Sequence, residues 1–201
     1  MSEEFDKQLK SQSLKKGLIL GLILGVLGII SFYFMTTMAT SMMLVILGPV
    51  LLSVVIPVVI SVLFCSDLRK NIGGYWDFKQ AVTGIFIMFF AAYLVSYIIS
   101  SVLFAKIIEP NMVDKMETAM VNVTTSMLEK SNADQTAIDK QMEKVHQQFE
   151  DQKNITVGKQ IQSVVIGIIF VFVFALIFAA IFKKDRPLYL NDADGIDATV
   201  S

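Results

Sequence analysis

Charge is missing from about half of this chain. Four stretches, residues 17–39, 42–65, 81–105 and 160–182, each run 23 residues or more without an Asp, Glu, Lys, Arg or His. About 20 apolar residues cross the hydrocarbon core as a helix, so four such runs define a polytopic membrane protein and leave no room for a sizeable aqueous core. The empty spans also exclude functions. Ion-coupled transporters, proton pumps and voltage sensors place ionisable groups inside the membrane. Haem ligation within the spans needs a histidine, and the single histidine, His146, lies outside them. One cysteine, Cys65, forms no internal disulfide and no thiolate cluster. A net charge of −1 provides no global field for nucleic acid. No acid pair, metal cluster or nucleophile–base set stands at motif spacing, so neither an enzyme nor a bound cofactor or metal is expected.

What charge there is sets the orientation. Four lysines precede the first run, Arg69, Lys70 and Lys79 lie in the 66–80 loop, and Lys183, Lys184 and Arg186 follow the fourth run. The turn between the first two runs carries none. By the positive-inside rule both termini face the cytoplasm, and the long segment 106–159 faces out. Its seven lysines are outnumbered by nine acids, and long segments translocate largely regardless of charge. The first run is too long for a signal-peptide core, and Glu3, Glu4 and Asp6 interrupt its basic flank, so it reads as an uncleaved span. The expected layout is a cytoplasmic segment 1–16, frayed and with little role of its own. Spans 1–3 fill 17–105 with a cytoplasmic loop at 66–80. An outer segment at 106–159, a fourth span at 160–182 and a disordered cytoplasmic tail at 183–201 complete it. Asp192, Asp194, Gly195 and Asp197 in that tail lack the spacing and closing Glu of a calcium loop.

Small residues mark packing faces within the spans. Gly17, Gly21 and Gly25 follow at four-residue spacing with Gly28 close behind, a groove that admits another helix backbone, from this chain or a second copy. Ala92, Ser96 and Ser100 form a similar face in span 3, and Gly167 one in span 4. Pro49 and Pro57 predict kinks in span 2, where Ser53 or a neighbouring helix satisfies the freed carbonyls. Tyr93 and Tyr97 lie at mid-depth, where each hydroxyl needs a partner. In the 66–80 loop, Gly73 and Gly74 permit a tight turn, while Tyr75, Trp76 and Phe78 suit the headgroup level as interface anchors.

The outer segment is patterned for helices. Met112, Met116, Ala119, Met120, Val123 and Met127 fall within one helical stripe. Asn132 and Gln135 stand at capping-box spacing before a second helix over about 133–152. That helix carries Ile138, Met142, Val145 and Phe149 at 4-3-4 spacing, a two-heptad seam. Together they predict an extracytoplasmic hairpin between spans 3 and 4 of an all-α, four-helix membrane protein. Its methionines could serve copper(I) as soft ligands, but core packing suffices for them; His146 sits at the stripe's edge as a surface residue. Asn122 and Asn154 match glycan acceptors, relevant only in a eukaryotic secretory pathway. The seam is thin, since full burial of Ile138 or Phe149 contributes only about 1.5–3 kcal/mol. Such a hairpin is expected to lean on the membrane, on a second copy, or on another membrane or periplasmic protein.

Several motifs resemble a bacterial family of small four-span membrane proteins of unknown function. They are Leu14-Lys15-Lys16-Gly17 with Gly21, the Leu68-Arg69 exit, the run Gly73-Gly74-Tyr75-Trp76-Asp77-Phe78-Lys79-Gln80-Ala81, the Ile108-Glu109-Pro110 step, and Phe182-Lys183-Lys184. The resemblance covers residues 14–187 and implies the four-span layout and a bacterial inner membrane. It carries no activity and no site residues. The expected function is a non-enzymatic scaffold or accessory protein whose hairpin mediates assembly or partner binding. The alternative is a small-molecule or lipid transporter or channel component, with the two prolines and the two tyrosines along a neutral path.

Overall fold

The computed structural model describes residues 3–38, 42–131 and 134–185. The described residues are helical apart from their connecting turns. Helix α1 (Glu3–Tyr33) continues into a wider π-helical turn, Phe34–Met38. Helix α2 (Met42–Val50) passes through a second such turn, Leu51–Val55, into α3 (Ile56–Asn71). Helix α4 (Phe78–Tyr97) ends in a third, Ile98–Ile108. Then come α5 (Met112–Lys130), α6 (Gln135–Lys153) and α7 (Val157–Phe182). Four of these continuous helical stretches are long and apolar enough to span a bilayer: Glu3–Met38, Leu47–Asn71, Phe78–Ile108 and Val157–Phe182.

Helix α4 is the centre of the bundle, packed along α1 on one side and α7 on the other. The α1 contact is made by the glycines. A Cβ at Gly17 would press on the Met88 carbonyl and lie 2.8 Å from Ala91 Cβ; one at Gly21 would lie 2.6 Å from Val95 Cβ and 2.7 Å from Ala92 O. At Gly25 it would meet the Ile99 side chain at 2.8 Å, while Gly28 is in ordinary contact range of Ser100 Oγ at 3.6 Å. The glycine groove is therefore filled from within the chain. Lipid tails are as apolar as leucine, so close backbone approach and dispersion must supply the cohesion that water supplies elsewhere.

The expectation of a frayed N-terminal segment is corrected. Residues from Glu3 onward are continuous with α1, and Leu9 is only 2 % exposed. Leu9 and the buried Ser13 lie over Gly84 of α4, where a Cβ would be 2.7 Å and 3.3 Å from them. Gln8 donates to the Asn71 carbonyl, and Lys16 pairs with Asp67 at the foot of α3. Glycine at position 84 makes room for an apolar side chain that the linear pattern left outside the bundle.

The prolines act differently from two simple kinks. Between Pro49 and Pro57 the backbone widens into π-helical geometry, with the Ile56 N–H bonded to the Leu51 carbonyl. Proline 57 lacks the N–H that would have reached Ser53, which favours this shift in register. The Ser53 hydroxyl instead meets the Ser31 hydroxyl of α1 at 3.1 Å.

Replacing Gly21 by Leu should cost at least about 1–3 kcal/mol, the usual scale of overpacking. Changing its lipid-exposed neighbour Leu22 to Ile, at a position 54 % exposed, should be nearly neutral. Thermal melts of the two purified variants in one detergent check the contrast.

Candidate functional site

Two regions concentrate polar chemistry, one at each end of the spans. At the end shared by the two terminal segments, the loop between α3 and α4 closes the bundle. Helix α3 stops because Gly73 and Gly74 take positive φ, 104° and 83°, which lets Gly74 N–H reach the Arg69 carbonyl at 2.9 Å. Helix α4 starts on a capping box: Asp77 accepts from Gln80 N–H, and the Gln80 side chain accepts from Asp77 N–H, each at 2.8 Å. Between them Trp76 turns inward. It is 1 % exposed, its indole N–H donates to the Phe182 carbonyl at 2.7 Å, and Arg69 donates to the same oxygen at 3.3 Å. Trp76 and Lys184 exchange both backbone hydrogen bonds, and the Lys184 ammonium sits 5.2 Å from the centre of the Tyr75 ring.

This corrects the reading of Trp76 as a headgroup anchor. Its ring is enclosed by protein, and it satisfies an orphan carbonyl at the C-terminus of α7. Tyr75 and Phe78 stay accessible beside it, Phe78 at 44 %. The Asp-x-x-Gln capping pattern was available in the sequence. The link from Trp76 to Phe182 was not, since no local pattern announces a partner 106 residues away.

At the opposite end, α5 and α6 lie against each other and α5 rests on Phe34–Met38 and α2. Val123, Ile138, Val145 and Phe149 are buried between them. Met112, Met116, Met120 and Met142 are half-buried, and Met127 is exposed; Met142 Sδ accepts from Thr125 at 3.4 Å. Asn132 lies outside the described residues; Asp134 occupies the cap position of α6 and makes no side-chain cap bond. Asp192, Asp194, Gly195 and Asp197 also lie outside the described residues.

An ionic clamp joins the base of the two helices. Lys153 Nζ reaches Asp114 at 2.9 Å, Glu117 at 2.8 Å and Glu150 at 3.3 Å, and His146 Nδ1 is 2.6 Å from Glu117. The hydrogen bonds from Lys153 and then His146 hold the Glu117 carboxyl below its ordinary value. Bonds to Asp114 and Glu117 raise the Lys153 ammonium above its own. Lys115 pairs at 2.8 Å with the largely buried Glu109, which ends the π-helical stretch. His146 is thus a partner in the clamp. Between α5 and the end of α1 runs a polar groove of about 600 Å³, bordered by Tyr33, Thr36, Asn111 and Thr118.

Within the spans, Gly167 serves α4. A Cβ there would collide with the Tyr93 hydroxyl, which donates to the Val164 carbonyl at 3.4 Å. Tyr97 accepts from Gln160 at 3.2 Å. Ala92 packs under Gly21, Ser100 beside Gly28, and Ser96 donates to the Tyr93 carbonyl.

This is a multi-pass, all-α membrane protein with four spanning helices. The chain belongs to a family of proteins of unknown function, DUF4199, whose model matches residues 17–184. No curated protein and no solved structure matches it.

Trp76→Phe should keep the packing but remove one of two donors to the Phe182 carbonyl, at a cost of about 1 kcal/mol; a lower melting temperature with the helix content unchanged is the expected readout. The clamp makes stability depend on pH at both extremes. Glu117 titrates below its ordinary 4.5 in the folded state, so its contribution is present above that value and is lost as pH falls through the folded one. Lys153 titrates above 10.5, so its contribution is present below that value and is lost as pH rises through the folded one. Protease accessibility of the α5–α6 region in the full-length protein should therefore be lowest on a plateau between the two limits. Glu117→Gln should remove that residue's share of the acid limb.

Proposed function

We propose that this is a non-enzymatic membrane protein that works through its α5–α6 unit, a hairpin presented to a protein partner or to a second copy of the chain. The observation that carries this reading is that the unit is internally complete. Val123, Ile138, Val145 and Phe149 of its seam are buried, its base is clamped by Lys153, and it is braced on Phe34–Met38 and α2. What remains for a partner is a firmly held polar surface on α6, where Gln141, Lys144 and Gln148 stand exposed. Preorganisation of this kind lowers the entropy cost of association. On this reading the unit lies outside a bacterial cytoplasmic membrane with both termini within the cell, an orientation supported by the charge bias of the loops. A transporter reading has less support, because the Tyr93 and Tyr97 hydroxyls are engaged in holding α7. Lys16 with Asp67 and Lys115 with Glu109 are likewise paired, which is how a structural brace uses charge.

A photoreactive residue at Gln141, Lys144 or Gln148 should give a crosslinked band of defined mass in native membranes. Phe149→Asp, which opens the seam, should abolish it, while the same probe at the lipid-facing Leu22 should not give it. Labelling spread evenly over many proteins from all three α6 positions would sink the proposal.

A further inference from the structure

Helices α3 and α7 touch only lightly, and between them a cleft of about 450 Å³ enters the bundle. Leu24, Tyr93 and Ser96 form part of its floor; Pro57, Ser61 and Phe174 form part of its walls. Its length follows the helix axes, since it runs along α7 from Gly167 to Phe178, a rise of about 16 Å. The rim is open: Val54 is 54 % exposed and Phe170 60 %. All of these residues lie in spanning segments.

The lining decides what can fill it. A water needs two to four polar partners to be held in a protein interior. Here the Tyr93 hydroxyl donates to the Val164 carbonyl, Ser96 donates to the Tyr93 carbonyl, Ser53 pairs with Ser31, and Ser61 makes no hydrogen bond with the described residues. Each oxygen can still accept, but these four hydroxyls are set in a lining otherwise made of Leu, Val, Pro, Phe, Ala and Gly, in a cleft open to the bilayer. Left empty, the lining would forfeit its dispersion contacts on one side. The occupant that matches this lining is apolar, elongated along the membrane normal, and able to enter sideways. Pockets of this volume lined by aromatic and aliphatic side chains are the usual size for small-molecule sites.

We infer that the α3–α7 cleft is a lipid-chain site: it takes one acyl chain of a bilayer phospholipid, laid along α7 against Phe170 and Phe174 and seated over Tyr93. The acyl chain supplements a helix–helix contact that α3 and α7 make only lightly. This site is separate from the α5–α6 unit and does not depend on its role.

The test uses the full-length protein reconstituted in phosphatidylglycerol–phosphatidylcholine vesicles doped with a phospholipid carrying a mid-chain diazirine. After irradiation, adducts are mapped by mass spectrometry. Adducts at the cleft should exceed those on the open face of α1 around Leu22 and Val26 by about tenfold, a preference of about 1.4 kcal/mol. Ser61→Phe, which fills the cleft, should remove that excess and leave labelling near Leu22 unchanged; Ser61→Leu serves if the larger side chain prevents folding. Leu22→Phe should leave cleft labelling intact. Equal labelling of both faces overturns the inference, as does an excess that survives both Ser61 variants. So does a crosslink from a photoreactive residue at Val54 to a second copy in place of lipid.

Discussion

Everything in this bundle hangs on how closely α1 can approach α4. In lipid there is no gain from hiding apolar side chains, because the surroundings are equally apolar, so helices adhere where their backbones come near enough for dispersion and dipoles to count. Gly17 and Gly21 allow that approach: a methyl group at either would overlap α4 main-chain or Cβ atoms. Once α1 is fixed, Leu9 falls over Gly84, Lys16 over Asp67 and Ser31 opposite Ser53. Helix α4 then presents its other side to α7, where the glycine is reversed onto the partner and Gly167 receives Tyr93. Both main contacts use one device, a missing side chain facing a bulky one or a carbonyl.

The number and rough limits of the spans were legible because their signal is one of composition over about 20 residues. The glycine spacing announced a packing face but did not say which helix would fill it, since a second copy and α4 offer the same small-residue chemistry. Of the four α6 positions at 4-3-4 spacing, Ile138, Val145 and Phe149 are buried and Met142 is half-buried. The ends of elements were less legible. Helix α4 runs on through Lys106 to Ile108 in π-helical form, and α7 begins at Val157 on a Thr156 cap, ahead of the apolar run. Hydropathy marks where lipid begins, whereas backbone hydrogen bonds mark where a helix begins.

The polar site was least legible. Trp76 looked like an interface residue because tryptophan is common there, and its neighbours Tyr75 and Phe78 reinforced the impression. Its actual role depends on Phe182, whose carbonyl becomes an orphan only when α7 ends beside the loop. The clamp at Lys153 is similar: Asp114 and Glu117 are a helix apart from it in sequence and become its partners only after the seam sets the register of α5 against α6. Interactions created by tertiary placement leave no periodic trace.

The two ends of the bundle are consequently held by different physics. At the loop end the bonds are short and mostly neutral, backbone to backbone or indole to carbonyl, around a buried Trp76. Such contacts are little affected by salt. At the other end the α5–α6 unit is clamped by ions whose side chains remain partly exposed, Lys153 at 31 % and His146 at 55 %. Exposed pairs are screened and individually weak, so this end relies on several acids converging on one ammonium and on the seam beneath them. The three π-helical turns at Phe34–Met38, Leu51–Val55 and Ile98–Ile108 all lie in the halves of the spans nearest this unit. Each trades regular α-helical bonding for a local change in helix phase. The result is a foot held mainly by neutral hydrogen bonds, with the Lys16–Asp67 pair beside them, and a head that depends on ions, on the same four helices. If conditions are to alter one part of this molecule without unfolding the rest, the physics places that change in the α5–α6 unit.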